Sequence, residues 1–172
     1  MALATVLAVF AVAVAARLEV AVPGSPVPQS LQTMAVVLVG ALMGPRLGVL
    51  ALLLYLAAGI AGLPVFAGGA AGLHQLLGPT GGYLLGFVVG AGVAGALAGN
   101  LHRALFGMLL AHAIILAMGW GRLAFLLGPE AAWTQGVAPF LWGGAVKSAA
   151  ALCLLALVPR RRSALTSPAA NG

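Results

Sequence analysis

The sequence predicts an all-α membrane protein: a six-transmembrane-helix bundle whose outer loops cap a ligand pocket. Three observations carry that expectation. Of 172 residues, 63% are hydrophobic and 6% are charged, against about 25% charged in a soluble domain. Mean hydropathy is +1.15. The apolar residues are gathered into six blocks near the length of about 20 that spans a bilayer. Ten charges cannot cover a water-soluble globule of this size, which excludes a soluble enzyme or signalling domain. The apolar content excludes a disordered chain, and Cys153 stands alone, which excludes a disulfide scaffold. One membrane-embedded domain is expected over residues 1–159, with a basic tail over 160–172.

The first helix is expected over 1–22, ended by Pro23-Gly24-Ser25-Pro26-Val27-Pro28. Ala13-Val14-Ala15 resembles a signal-peptide cleavage site, but no basic residue precedes the apolar core, so the segment reads as a retained helix. The second is expected over 30–43. Its 14 residues rise only about 21 Å, so five spans with a re-entrant piece is the alternative to six. The third is expected over 47–63, the fourth over 81–101, the fifth over 104–127 and the sixth over 139–158. The blocks are too continuous for the alternation of barrel strands. Gly44-Pro45, Gly78-Pro79 and Gly128-Pro129 punctuate the blocks, with Gly ending one helix by a left-handed turn and Pro opening the next.

Basic residues set the orientation. With six spans, Arg46, Arg103, Arg160, Arg161 and Arg162 fall on one side, against Arg17 and Arg122 on the other. Both termini are therefore expected in the cytoplasm. The net charge of +6 reads as topology and attraction to lipid headgroups, not nucleic-acid binding. The connection from Pro64 to Thr80 is apolar, Gly-rich and too broken to span. Irregular backbone at membrane depth is tolerated where it lines a cavity, so this connection is expected to wall or roof a pocket. The alternative is a loop lying on the headgroups.

Small residues recur every four positions at Gly82, Gly86, Gly90, Ala94 and Ala98. This is a ladder for close helix packing. Ala4, Ala8, Ala11 and Ala15 make a weaker ladder on the first helix, a candidate partner surface.

Little catalytic chemistry is available. No G-x-x-x-x-G-K-[ST] loop for ATP occurs. The only carboxylates, Glu19 and Glu130, fall near helix ends. His74, His102 and His112 are scattered, so neither a metal nor any other cofactor is expected, and His112 reads as a helix residue bonded to a neighbour's backbone. Lys147 stands out, eight residues into the sixth helix, where a charge costs roughly 2.5–3.5 kcal/mol on insertion scales. It either snorkels to the interface or meets the carboxylate of a ligand. Trp120, Trp133 and Trp142 read as an interfacial belt or as stacking surfaces over that pocket. Gln32 and Tyr83 are expected near the same outer face.

Several strings in order then carry a resemblance. Val27-Pro28-Gln29-Ser30-Leu31-Gln32-Thr33-Met34 is followed by Met43-Gly44-Pro45-Arg46-Leu47-Gly48. Next come Tyr55, Gly62-Leu63-Pro64-Val65-Phe66-Ala67-Gly68-Gly69, Leu77-Gly78-Pro79-Thr80-Gly81-Gly82-Tyr83, and Pro139-Phe140 up to Lys147. Together they resemble the BioY family, the biotin-binding S components of energy-coupling-factor (ECF) transporters. The resemblance implies uptake of biotin by a six-helix bundle with both ends inside. It implies ATP hydrolysis on separate ATP-binding-cassette ATPase subunits, reached through a transmembrane coupling subunit, so this chain is not itself an enzyme. It implies that Ala4, Ala8, Ala11 and Ala15 face the coupling subunit. The substrate-binding candidates are Lys147, Gln32, Tyr83, Phe66, His74 and Trp142, with Gln75 and Thr80 as further partners for the ureido ring. The chain departs from the family at three places. Gly144 stands where an Asp is frequent, Ala70 where some members carry Asn, and Leu84 where some carry Arg. Other readings are an S component for another small carboxylated vitamin, a self-associating structural or pore-forming protein with Gly86 and Gly90 on the oligomer face, and a membrane-embedded enzyme. The last is the least supported, because arranged acid and base groups are missing.

Overall fold

The computed structural model describes residues 2–158. The tail arginines Arg160, Arg161 and Arg162 lie outside the described residues. Helix α1 (Ala2–Arg17) leads into a two-residue strand β1 (Glu19–Val20) that pairs antiparallel with β2 (Gln29–Ser30). There follow α2 (Gln32–Ile60), a 3-10 turn (Ala67–Gly69), the single turn α3 (His74–Leu77), α4 (Gly81–Ala96) and α5 (Leu101–Leu127). The short helix α6 (Pro129–Gly136), a second 3-10 turn (Ala138–Phe140) and α7 (Leu141–Leu157) complete the described chain. By length and composition alone, Gln32–Ile60, Leu101–Leu127 and the continuous stretch Pro129–Leu157 could each cross a membrane, while Ala2–Arg17 and Gly81–Ala96 are shorter apolar helices.

Helix α2 is not one rod. Gly44 adopts φ 78°, ψ 173°, a left-handed φ that only glycine takes cheaply, and Pro45 then starts a new run without needing an N–H. Two contacts establish that the chain doubles back there. The Gln32 side chain bonds the Tyr55 hydroxyl at 2.7 Å, although 23 residues of straight helix would separate them by about 34 Å. A Cβ placed on Gly48 would sit 2.9 Å from the Gly40 Cα. The arms 32–43 and 45–60 are therefore an antiparallel hairpin with its elbow at Gly44.

The expected boundaries shift where local chemistry was undervalued. The first helix stops at Arg17, because residues 19–20 and 29–30 zip together across the Pro-rich connection, with Leu31 N donating to Leu18 O at 3.0 Å. The fourth ends at Ala96 and the fifth starts at Leu101, because Asn100 caps it by accepting from Arg103 N at 2.9 Å. Residues 129–136 form a helix where the apolar blocks predict only a connection. Gly128 turns left-handed (φ 87°) before Pro129 as expected, whereas Gly78 is extended (φ −84°, ψ −169°). All three glycines precede a proline, which favours an extended ψ, but only two of the reversals need a positive φ.

The ladder Gly82, Gly86 and Gly90 is covered within the chain by α5. A Cβ on Gly86 would lie 3.0 Å from the Ile115 Cα, and one on Gly82 would lie 2.9 Å from the Met118 carbonyl carbon. The idea of Gly86 and Gly90 as an oligomer face is thus corrected: the ladder is filled by the chain's own helix. The alanine ladder also splits. The inner face of α1 is Thr5, Ala8, Val12 and Ala16, so Ala8 is core, Ala15 is half-buried, and Ala4 and Ala11 remain exposed. Large apolar side chains including Phe10, Phe106, Phe125 and Val146 are exposed around the bundle, as expected where lipid is the solvent.

Candidate functional site

At one end of the bundle, the connections 21–28 and 61–80 meet the starts of α2, α4 and α7. A cavity of about 210 Å³ lies beneath them. Its walls come from the Pro26–Ser30 segment, Gln32 and Thr33 on α2, Phe66, Ala67, Gln75 and Thr80 from the long connection, and Tyr83, Leu84 and Phe87 on α4. His112, Ile115 and Leu116 on α5, with Phe140, Gly144 and Lys147 at the start of α7, close it.

Two tyrosines hold the site open without offering it their hydroxyls. Tyr55 donates to Val65 O at 2.8 Å while accepting from Gln32 Nε2 at 2.7 Å. This pins the long connection to α2, and Phe66 then packs edge-on against the Tyr55 ring, centroids 5.6 Å apart. Tyr83 donates to Gly136 O at 2.7 Å, tying α4 to α6. Gln32 and Tyr83 therefore line the cavity with their polar ends at least partly committed inside the protein. Thr80 donates to Gln75 O at 3.2 Å.

Two arginines anchor the ends of the long connection. Arg17 Nη2 donates to Pro64 O at 2.7 Å. Arg122 donates through Nε to Gly78 O at 3.3 Å and through Nη2 to Leu77 O. Hydrogen bonds from a charged donor each contribute about 1.5–3 kcal/mol. We expect Arg122→Ala to leave the bundle intact but to speed amide exchange across residues 74–81 by roughly tenfold, the equivalent of about 1.4 kcal/mol. Hydrogen exchange read by mass spectrometry checks this, and unchanged protection would show that the clamp contributes nothing.

Lys147 is half-buried on the wall, and among the described residues no carboxylate lines the cavity with it. Of the other candidates, Gln32, Tyr83 and Phe66 line the cavity, as do Gln75 and Thr80, whereas His74 and Trp142 do not. His74 is exposed beside Gln75, and Trp142 is 83% exposed on the outside of α7. Trp120 and Trp133 are likewise exposed and off the wall. Gly144 and Leu84, two of the departures from the family pattern, are on the wall; Ala70, the third, is not.

Sequence reasoning missed His112. Its bond runs to its own helix, from Nδ1 to Met108 O at 3.0 Å, and the same nitrogen lies 3.0 Å from Ser148 Oγ on α7. The available signal was an ionisable residue inside an apolar helix, which is functional by default.

The likeness to known proteins extends over the whole assembly. The BioY family model matches residues 1–164. A probable biotin transporter BioY of Pyrococcus horikoshii is 36% identical over 152 residues, covering 87% of this chain and 91% of that one. The biotin transporter BioY of Thermotoga maritima is 39% identical over 134 residues, covering 74% and 78%. Biotin transporter BioY2 of Lactococcus lactis is 33% identical over 153 residues, covering 84% and 82%. A 2.1 Å crystal structure of the S-component for biotin from an ECF-type ABC transporter superposes with a TM-score of 0.81 at 23% identity, covering 88% of this chain and 86% of that one. With the motifs in order and the match running through every helix, the chain belongs to the BioY family.

Proposed function

We propose that this chain binds biotin at the outer face of the cytoplasmic membrane and is the substrate-specific component of an ECF-type transporter. It is a transport protein, not an enzyme. The observation that carries the reading is the cavity itself: among the described residues its largely apolar wall carries the cation Lys147 and no carboxylate. That is the complement of a small apolar acid such as biotin, whose fused rings and chain suit apolar walls and whose carboxylate answers the ammonium. Family membership and the names of the relatives supply the identity of that acid.

In this reading six apolar arms span the bilayer: α1, the two arms of α2, α4, α5 and α7. The connections 21–28 and 61–80 cap the bound ligand. Arg17 and Arg122 both hold carbonyls of the 61–80 connection, so they share the cavity end, which is the outer one. Arg46 and Arg103 lie at the other end, with both termini in the cytoplasm. Ala4 and Ala11, exposed on α1, are the part of the alanine ladder that remains free for a transmembrane coupling subunit. ATP-binding-cassette subunits supply the energy. Residues 1–159 form the membrane domain and 160–172 its basic tail.

Equilibrium binding of labelled biotin to the purified protein in detergent tests the reading. We expect saturable binding with one site per chain, competed by unlabelled biotin. An absence of saturable biotin binding, or preferential binding of another carboxylated vitamin, would overturn it.

A further inference from the structure

Three buried side-chain atoms have no hydrogen-bond partner among the described residues: Glu19 Oε2, Thr33 Oγ1 and His112 Nε2. The last two belong to side chains on the cavity wall. Buried polar groups are rarely left unpaired, and each exception asks for a reason. A cavity that awaits a ligand is one.

The bonds around His112 fix what its partner must be. Met108 O can only accept, so the 3.0 Å contact places a hydrogen on His112 Nδ1. Ser148 has one hydroxyl hydrogen, and it points to Gly144 O at 2.9 Å. Ser148 Oγ is then an acceptor for the same Nδ1–H, 3.0 Å away. Both neighbours therefore demand the same tautomer. A second positive charge on an apolar wall that already carries Lys147 would be repelled and poorly solvated, so the ring is neutral. Its Nε2 is then a bare lone pair, on a residue only 6% exposed.

We propose that His112 Nε2 accepts a hydrogen bond from an N–H of the bound ligand, with Ser148 and Met108 holding the tautomer. This rests on the biotin reading and sharpens it. At neutral pH the carboxylate, the ureido carbonyl and the thioether of biotin carry no hydrogen to give. The two ureido N–H groups are its only donors, so His112 reads the ureido ring. It is a specificity-determining residue contributed to the wall by α5. Lys147 offers only donors and His112 only an acceptor, and the two cannot substitute for each other.

The test compares biotin with two analogues in which one or the other ureido N–H is replaced by a ring oxygen, which turns the cyclic urea into a cyclic carbamate and a donor into an acceptor at nearly constant shape. We expect the unaltered protein to bind one of the two at least about tenfold more weakly than biotin, because a lone pair would then face a lone pair. In His112→Phe, which keeps the ring and removes the lone pair, that discrimination should fall to about twofold or less. Full discrimination retained in His112→Phe, or equal binding of all three ligands by the unaltered protein, overturns the proposal. Should His112→Phe not fold, the intact protein decides through the ¹⁵N resonance of His112 Nε2. That resonance should move from a bare to a hydrogen-bonded position when biotin is added, and no movement overturns the proposal. No biotin binding by the unaltered protein is a different result, since it fails the transport reading itself and takes this inference with it.

Discussion

Lys147→Met is expected to weaken biotin binding by at least about 30-fold, because removing one member of a desolvated charge pair costs about 2 kcal/mol or more. Met keeps the length of the stem, so packing of α7 changes little and the loss reports the ammonium. The same substitution should raise the melting temperature of the ligand-free protein. An ammonium on an apolar wall with no carboxylate beside it costs free energy that a thioether does not. Opposite signs for affinity and stability distinguish a ligand anchor from a lysine that serves packing, whose loss would lower both. The chemistry of the partner is checked with biotin methyl ester, which lacks the charge. The unaltered protein should prefer the acid, and Lys147→Met should bind acid and ester alike. Unchanged biotin affinity in Lys147→Met would remove this residue from the site. Isothermal titration and thermal melts in detergent supply both readings.

Much of this architecture was legible from apolar blocks cut by Gly and Pro, because in lipid each backbone group must be paired within its own segment. What failed was local. The helix start at Leu101 depends on the Asn100 cap, and the pairing of residues 19–20 with 29–30 depends on where the Pro-rich turn brings them; neither shows as hydropathy. At the site, the sequence indicated which residues come near but not which way they point. Trp142 and Lys147 are five positions apart, roughly 140° around a helix, so one on the cavity wall puts the other toward lipid. His74 and Gln75 divide in the same way, and only Gln75 reaches the wall. Gln32 and Tyr83 line the cavity, yet Tyr55 and Gly136 take up hydrogen bonds from their side chains. His112 was invisible as a wall residue, because Ser148, its partner on α7, lies 36 positions away in the chain.

A substitution with a large structural effect is expected at Gly40, outside the ladder at 82, 86 and 90. Gly40 lies on the descending arm of α2, where the backbone of α4 crosses the hairpin. A Cβ there would lie 2.9 Å from both the Cα and the carbonyl carbon of Ala91, with the Ala91 oxygen nearer still. From the other sides, the Gly48 Cβ position is 2.9 Å from the Gly40 Cα, and the Gly95 Cβ position is 2.7 Å from the Gly40 oxygen. The backbones of α4 and of the second arm of α2 thus both close on one residue. A clash with a side chain can be relieved by a rotamer change, but a clash with backbone moves whole helices, so the cost should exceed the roughly 1–3 kcal/mol typical of overpacking. Helix association in lipid has no hydrophobic effect to fall back on and depends on this close approach. We therefore expect Gly40→Leu to give no monodisperse protein from detergent-extracted membranes, as judged by size-exclusion chromatography. Gly121→Leu, on α5 where a Cβ meets nothing within 4 Å, should behave as the unaltered protein does. Wild-type yield and wild-type biotin affinity for Gly40→Leu would mean that α4 can be displaced from the hairpin elbow at no cost, and the packing account of this bundle would be wrong.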